Sequence, residues 1–270
     1  MTDKNRNLVV RVVTVLVLLP GVLWLIGRGG LPFALLIAAA TAVCALELNQ
    51  LPGVPITGAA LCSMAAAFLL PLLREGSVQG LEDASVLTAL VIAAFADALL
   101  FEREILNAPR RVSLALLGAV YPGLLLAALI PLRKLPRGEW WIVLALTVTW
   151  LNDTFAYFSG RAFGRHKLYE RVSPSKTWEG ALGGAAGSVL GALVVAHLWI
   201  PELPALGAAL IGAGAAVLGP AGDLSESMLK RAFGAKDSSR LLPGHGGLLD
   251  RIDALLFNAP FVLLCARLLT

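Results

Sequence analysis

The chain has 270 residues, 57% of them hydrophobic and 15% charged, with a mean hydropathy of +0.78; soluble domains carry about 25% charged residues, so a soluble globular class is excluded and a polytopic membrane protein expected. The formal charge of +4 and the pI near 9.2 fit basic loops that set topology and meet anionic lipid, and no nucleic-acid partner is expected. Cys44, Cys62 and Cys265 lie in apolar runs without Cys/His spacing, so neither a disulfide framework nor a zinc site is expected.

Lys4, Arg6 and Arg11 precede an apolar run that has no small-residue cleavage site followed by a hydrophilic domain, and that run is read as the first span. A helix needs about 20 mostly apolar residues to cross a bilayer. That rule predicts nine spans: Leu8 to Ile26, Leu31 to Leu48, Ile56 to Leu73, Ser85 to Phe101, Val112 to Leu132, Trp140 to Phe158, Trp178 to Ile200, Leu203 to Ala221 and Arg251 to Leu269. The expected fold is an all-α integral membrane bundle forming one domain. Residues 1–132 are expected to be scaffold helices, and residues 133–270 the catalytic helices with polar loops at 160–177 and 222–250. In this layout 16 of the 22 lysines and arginines fall on the N-terminal side of the membrane and 6 on the other. Cytoplasmic loops hold the excess of such residues, so the N-terminus and both polar loops are expected in the cytoplasm. Glu47 and Asp97 stand out in the first half, and each is read either as facing the bundle interior or as capping a helix end or pairing with a loop cation.

The chemistry concentrates between Gly222 and Asp253, where ionisable groups lie beside hydrocarbon at a cost that only function or pairing explains. Asp223 and Glu226 are three residues apart, as are Asp250 and Asp253, so on a helix each pair shares a face. With Asp237 they form a set of hard oxygen donors that suits magnesium, which binds few carboxylates and keeps positions for water and phosphate. Lys230, Arg231, Lys236, Arg240 and Arg251 supply more positive charge than a metal site needs and suit a polyphosphate. Pro243-Gly244-His245-Gly246-Gly247 offers unobstructed backbone N–H groups, although no Walker A pattern is present. Taken singly, Glu226 and Lys230 also read as an i,i+4 surface pair, and Asp250 as a cap for the last helix. In the other polar loop, Asn152 and Asp153 end an apolar run, Lys176 suits a phosphate, and Ser173 or Thr177 can cap the helix that follows.

Ser227-x-x-Lys230-Arg231, then Lys236-Asp237, then His245-Gly246-Gly247-x-x-Asp250-Arg251-x-Asp253 resembles the signature of the phosphatidate cytidylyltransferase (CDP-diacylglycerol synthase) family. Ser-Pro-x-Lys-Thr-x-Glu-Gly at Ser173 to Gly180 resembles the family's second block, with Ser175 departing where members often carry a basic residue or Asn. The resemblance implies transfer of the cytidylyl group of CTP to phosphatidic acid, giving CDP-diacylglycerol and pyrophosphate. It also implies a cation centre of magnesium with potassium held at Asp223, Asp237, Asp250 and Asp253, a homodimer, and a bacterial-type inner membrane. Under it, Lys230, Lys236, His245 and Arg251 are the expected catalytic groups, with His245 donating to a phosphate oxygen. Ser173, Lys176, Thr177, Ser227, Arg231, Gly246 and Gly247 are the expected substrate-binding residues. The alternatives are a transporter with Asp153, Asp223 and Asp253 on an ion path, a prenol-linked cytidylyltransferase, and a polyprenol kinase.

Overall fold

The computed structural model describes residues 19–239, 241 and 246–269, and is helical through almost all of them. In chain order, α1 is Leu19–Arg28, α2 Gly30–Gln50, α3 Gly58–Glu75, α4 Asp83–Phe101 and α5 Ala108–Gly118. A π-helical turn at Ala119–Leu124 follows, holding Pro122, and then α6 Leu129–Lys134. Beyond these lie α7 Gly138–Phe163, the hairpin β1 Lys167–Tyr169 and β2 Ser173–Thr177, α8 Trp178–Trp199, α9 Ala205–Ala232 and α10 Leu249–Leu269.

Among the described residues seven helices are long and apolar enough to cross a membrane: α2, α3, α4, the composite Ile105–Lys134, α8, α9 and α10. Large apolar side chains such as Leu99, Leu182, Val217 and Leu268 are exposed on them, a pattern suited to lipid contact. The chain is therefore an all-α, multi-pass membrane protein. Of the nine expected spans, most of the first lies outside the described residues. The sixth forms as the 26-residue α7, with Asn152 and Asp153 lowering its hydropathy below that of its neighbours.

The polar stretches are less loop-like than expected. Hydropathy falls at Asp223, but α9 continues to Ala232, because no helix breaker occurs before Gly234, whose φ is +67°. Likewise α7 runs on to Phe163 before the hairpin begins. Hydropathy marks where a helix leaves hydrocarbon, and hydrogen bonding marks where it ends.

The chain divides into two compact units. The first takes the chain through Ile130 together with Asp237–Arg251; the second takes Pro131–Lys236 and the chain from Ile252 onward. In the first, polar side chains tie apolar helices together: Thr41 Oγ1 donates to the Ala67 carbonyl at 2.7 Å, and Ser63 Oγ to the Ala115 carbonyl at 2.6 Å. Asp97 is buried and pairs with Arg111 at 2.6 Å, as the sequence led us to expect of a loop cation. In the second, α8 lies along α7 with small residues at the seam. A Cβ on Gly184 would sit 3.0 Å from the Asn152 carbonyl oxygen, so backbones meet there as they do between membrane helices. Ser188 Oγ donates to the Gly212 carbonyl at 2.8 Å across α8 and α9.

Candidate active site

Within the second unit a cavity of about 430 Å³ is lined by Asn152, Asp153, Tyr157, Lys176, Thr177 and Asp223, among others. Each lining group has a local cause. Asp153, Tyr157 and Arg161 follow one another at four-residue steps along α7 and share its face, with Arg161 donating to the Tyr157 hydroxyl at 3.1 Å. The hairpin pairs Lys167 with Thr177 and Tyr169 with Ser173. On β2 burial rises toward the end of the strand, with Lys176 half-buried and Thr177 buried. Thr177 is the residue that caps α8, its hydroxyl accepting from the Gly180 N–H at 3.1 Å. Ser173 stands at the far end of the same strand, half-buried.

Lys176 Nζ lies 2.6 Å from Asp223 Oδ2, and Ser227 Oγ donates to Asp223 Oδ1 at 3.2 Å. Asp223 is thus held between a cation from β2 and a hydroxyl one turn further along α9. A Cβ on Gly222 would meet the Asp253 carbonyl oxygen at 2.6 Å, so α9 and α10 approach backbone to backbone where Asp223 and Asp253 sit. Asp153, Asp223 and Asp253 act on one another as like charges, with Lys176 acting on Asp153 and Lys230 on Asp253 as opposing ones. The three carboxylates are hard oxygen donors, the chemistry that suits a divalent cation. Among the described residues no three His, Cys, Asp or Glu side chains are drawn tightly enough to enclose a metal by themselves. A cation there would complete its shell with water and phosphate, as magnesium commonly does.

The remaining sequence-derived residues divide between the units. Lys230 and Glu226 form the i,i+4 pair at 2.5 Å, but inside the unit: Glu226 is 1% exposed and Lys230 8%. Arg231 is exposed and donates to the Ala235 carbonyl at 3.0 Å, closing the turn after α9. Lys236, Asp237 and Arg251 are exposed. Asp237 and Asp250 belong to the first unit, so the four carboxylates expected to bind metal are not presented by one unit. Asp250 accepts from the N–H of Ser238 at 2.9 Å, the Ser238 hydroxyl at 3.1 Å and the N–H of Gly247 at 2.8 Å. Gly246, at φ +82°, and Gly247 open the short return into α10. His245 and Arg240 lie outside the described residues.

Tyr157 and Arg161 were not singled out in the sequence, and Asn152 and Asp153 were noted there without a role in cytidylyl transfer. The signal was present: a carboxylate inside an apolar run is a functional-site candidate by default, and the four-residue spacing from Asp153 names its neighbours. A larger cavity of about 640 Å³ lies in the first unit, lined in part by Asp97, Glu102, Arg110 and Arg111. There Arg111 already bridges Asp97 and Glu102, whereas the smaller cavity holds residues of both sequence blocks, Lys176 and Asp223.

A family model described as the cytidylyltransferase family matches residues 9–269. The phosphatidate cytidylyltransferase of Bacillus subtilis (strain 168) is 36% identical over 273 residues, covering 97% of both chains. That of Thermotoga maritima is 38% identical over 184 residues, 66% of this chain and 68% of the relative. That of Brucella abortus (strain 2308) is 49% identical over 129 residues, 48% of this chain and 47% of the relative, so the match spans about half that protein's length.

Proposed function

Because this chain belongs to the cytidylyltransferase family, we propose that it transfers the cytidylyl group of CTP to phosphatidic acid, releasing CDP-diacylglycerol and pyrophosphate. The observation that carries the reading is the Lys176–Asp223 pair inside a cavity shared with Asp153: an oriented ammonium beside two carboxylates, in a protein with helices long and apolar enough to span a membrane. Such a site receives a polyphosphate with its cation, and the helices keep the other substrate's acyl chains in hydrocarbon.

In the reaction a phosphate oxygen of phosphatidic acid attacks the α-phosphorus of CTP, a new P–O bond forms, and the bond to the β-phosphate oxygen breaks in line. A phosphate monoester has a second pKa of about 6 and is largely dianionic at neutral pH, so no side chain has to remove a proton. The barrier is repulsion between polyanions, and positioning with charge compensation is the protein's task. Lys176 meets phosphate oxygens as a point charge, and Asp223 with Ser227 fixes where that charge stands. Asp223 and Asp253, with Asp153 beside them, would hold magnesium, which supplies charge neutralisation at the attacked phosphate and leaving group. The roles that family resemblance gives Asp237, Asp250, Lys236, His245 and Arg251, together with potassium as second cation and a homodimer, are proposed with it.

We place the N-terminus and the 160–177 and 222–250 stretches on the cytoplasmic side of a bacterial inner membrane, where CTP is found. The lysine and arginine bias and the bacterial relatives support this. The test is incubation of membranes containing the protein with base-labelled CTP, with and without added phosphatidic acid. The reading expects label in the organic phase only with phosphatidic acid present, lost on chelation and restored by magnesium. Label transfer to a prenyl phosphate instead would overturn the substrate.

A further inference from the structure

Glu47 is the last but three residue of α2, 3% exposed, and belongs to neither sequence block that carries the family resemblance. Its carboxylate is filled by groups about two hundred residues away in the chain. Oε1 accepts from the Ser239 hydroxyl at 2.6 Å and the Leu248 N–H at 2.9 Å; Oε2 accepts from the Ser238 hydroxyl at 3.1 Å and the Leu249 N–H at 2.8 Å. All these residues lie within the first unit. A Cβ on Gly247 would come within 2.8 Å of Glu47 Oε2, so the segment presses directly onto the carboxylate.

The arrangement is more than a satisfied core polar group. A buried carboxylate is tolerated only when its lone pairs are filled, and here every named donor comes from one segment, two from its beginning and two from its end. Leu248 and Leu249 stand at the start of α10, whose first N–H groups have no partner inside the helix and favour negative charge. Glu47 therefore caps α10 from another helix while holding Ser238 and Ser239. Ser238 in turn donates through its N–H to Asp250 at 2.9 Å, and its one hydroxyl proton lies 3.1 Å in heavy-atom distance from both Glu47 and Asp250 and is shared between them, which carries the geometry from Glu47 to a carboxylate of the signature.

Resting on the proposed cytidylyltransfer, we propose that Glu47 is a positioning residue for the reaction. It clasps both ends of the 238–249 segment and thereby fixes Asp250. It touches neither substrate nor reacting atoms.

The test combines turnover with amide hydrogen exchange on full-length protein in detergent micelles. Variants are Glu47→Ala and Glu47→Gln, with Ser63→Ala as a control that removes a buried hydrogen bond elsewhere in the same unit. Expected are a fall in kcat of about 10- to 100-fold for Glu47→Ala with a smaller change in KM for CTP, and partial recovery in Glu47→Gln, which keeps an acceptor. The positioning account also expects faster exchange at Leu248 and Leu249 in Glu47→Ala with α3 unchanged. Ser239→Ala combined with Glu47→Gln should be less than additive, because both cut the same contact. Wild-type kcat in Glu47→Ala overturns the proposal, as does uniform acceleration of exchange across the unit with equal losses in both Glu47 variants. If the unsubstituted protein shows no turnover, the cytidylyltransfer reading falls, and selective exchange at Leu248 and Leu249 still decides whether Glu47 holds the segment.

Discussion

Lys176 and Asp223 set the terms of the site because neither is placed by the same part of the sequence. The lysine comes from a two-stranded hairpin and the aspartate from the polar end of an otherwise apolar helix, and they meet at 2.6 Å. Removing one preorganised donor from a site of developing charge typically costs about 10²- to 10³-fold in rate. Lys176→Ala is accordingly expected to lower kcat by about that factor, and Lys176→Arg to recover part of it, in the phosphatidic acid assay. Ser227→Ala removes only a support for Asp223 and is expected to cost about tenfold or less, a smaller loss than Lys176→Ala, under the same conditions. Much of this chemistry was legible as residue types. Asp223 and Asp253 were named from their spacing, Lys176 and Thr177 from their residue types ahead of a helix, and Ser227 through the family resemblance. The partner of Lys176 was not legible, since the hairpin that carries it has no strong periodicity and pairs over 47 residues of sequence.

At the scale of elements, helix ends were the part that spacing alone misread. The eighth apolar run was expected to end at Ala221, whereas α9 carries Asp223, Ser227 and Lys230 on continuous helix. Hydropathy reports solvent and not backbone hydrogen bonding. The seam of α9 with α10 is testable. Gly222→Ala forces a Cβ against the Asp253 carbonyl and is expected to destabilise the protein by about 1–3 kcal/mol. Gly21→Ala, where nothing stands within 4 Å, is expected to stay within about 0.5 kcal/mol; thermal unfolding in detergent measures both. A third element, the end of α4, responds to pH. The Glu104 N–H, and behind it the Arg111 guanidinium, hold the Glu102 carboxyl below its usual value of 4.5. A carboxyl whose folded pKa is depressed stabilises the fold above its unfolded pKa and loses that contribution as pH falls through the folded one. The difference in unfolding midpoint between the unsubstituted protein and Glu102→Gln should therefore be constant at neutral pH and shrink below about 4.5. A difference that persists unchanged into acid contradicts the assignment.

For the whole molecule, composition alone gave the class, because a chain this poor in charge cannot present a water-facing surface. The seven helices of membrane-spanning length among the described residues follow from the same fact. The division into two units was harder to read, because the 237–251 segment returns to the unit formed by the N-terminal helices, and nothing in its sequence shows Glu47 as its partner. The account's central claim is attack at the α-phosphorus of CTP by a lipid phosphate. It is tested most directly by giving the purified protein phosphatidic acid with CTP labelled either at the α- or at the γ-phosphorus, and following both labels between organic and aqueous phases. The account predicts α-label in the lipid and γ-label in aqueous pyrophosphate, in equal amounts, both abolished in Asp223→Asn. Appearance of γ-label in the lipid, as in a kinase, would contradict it.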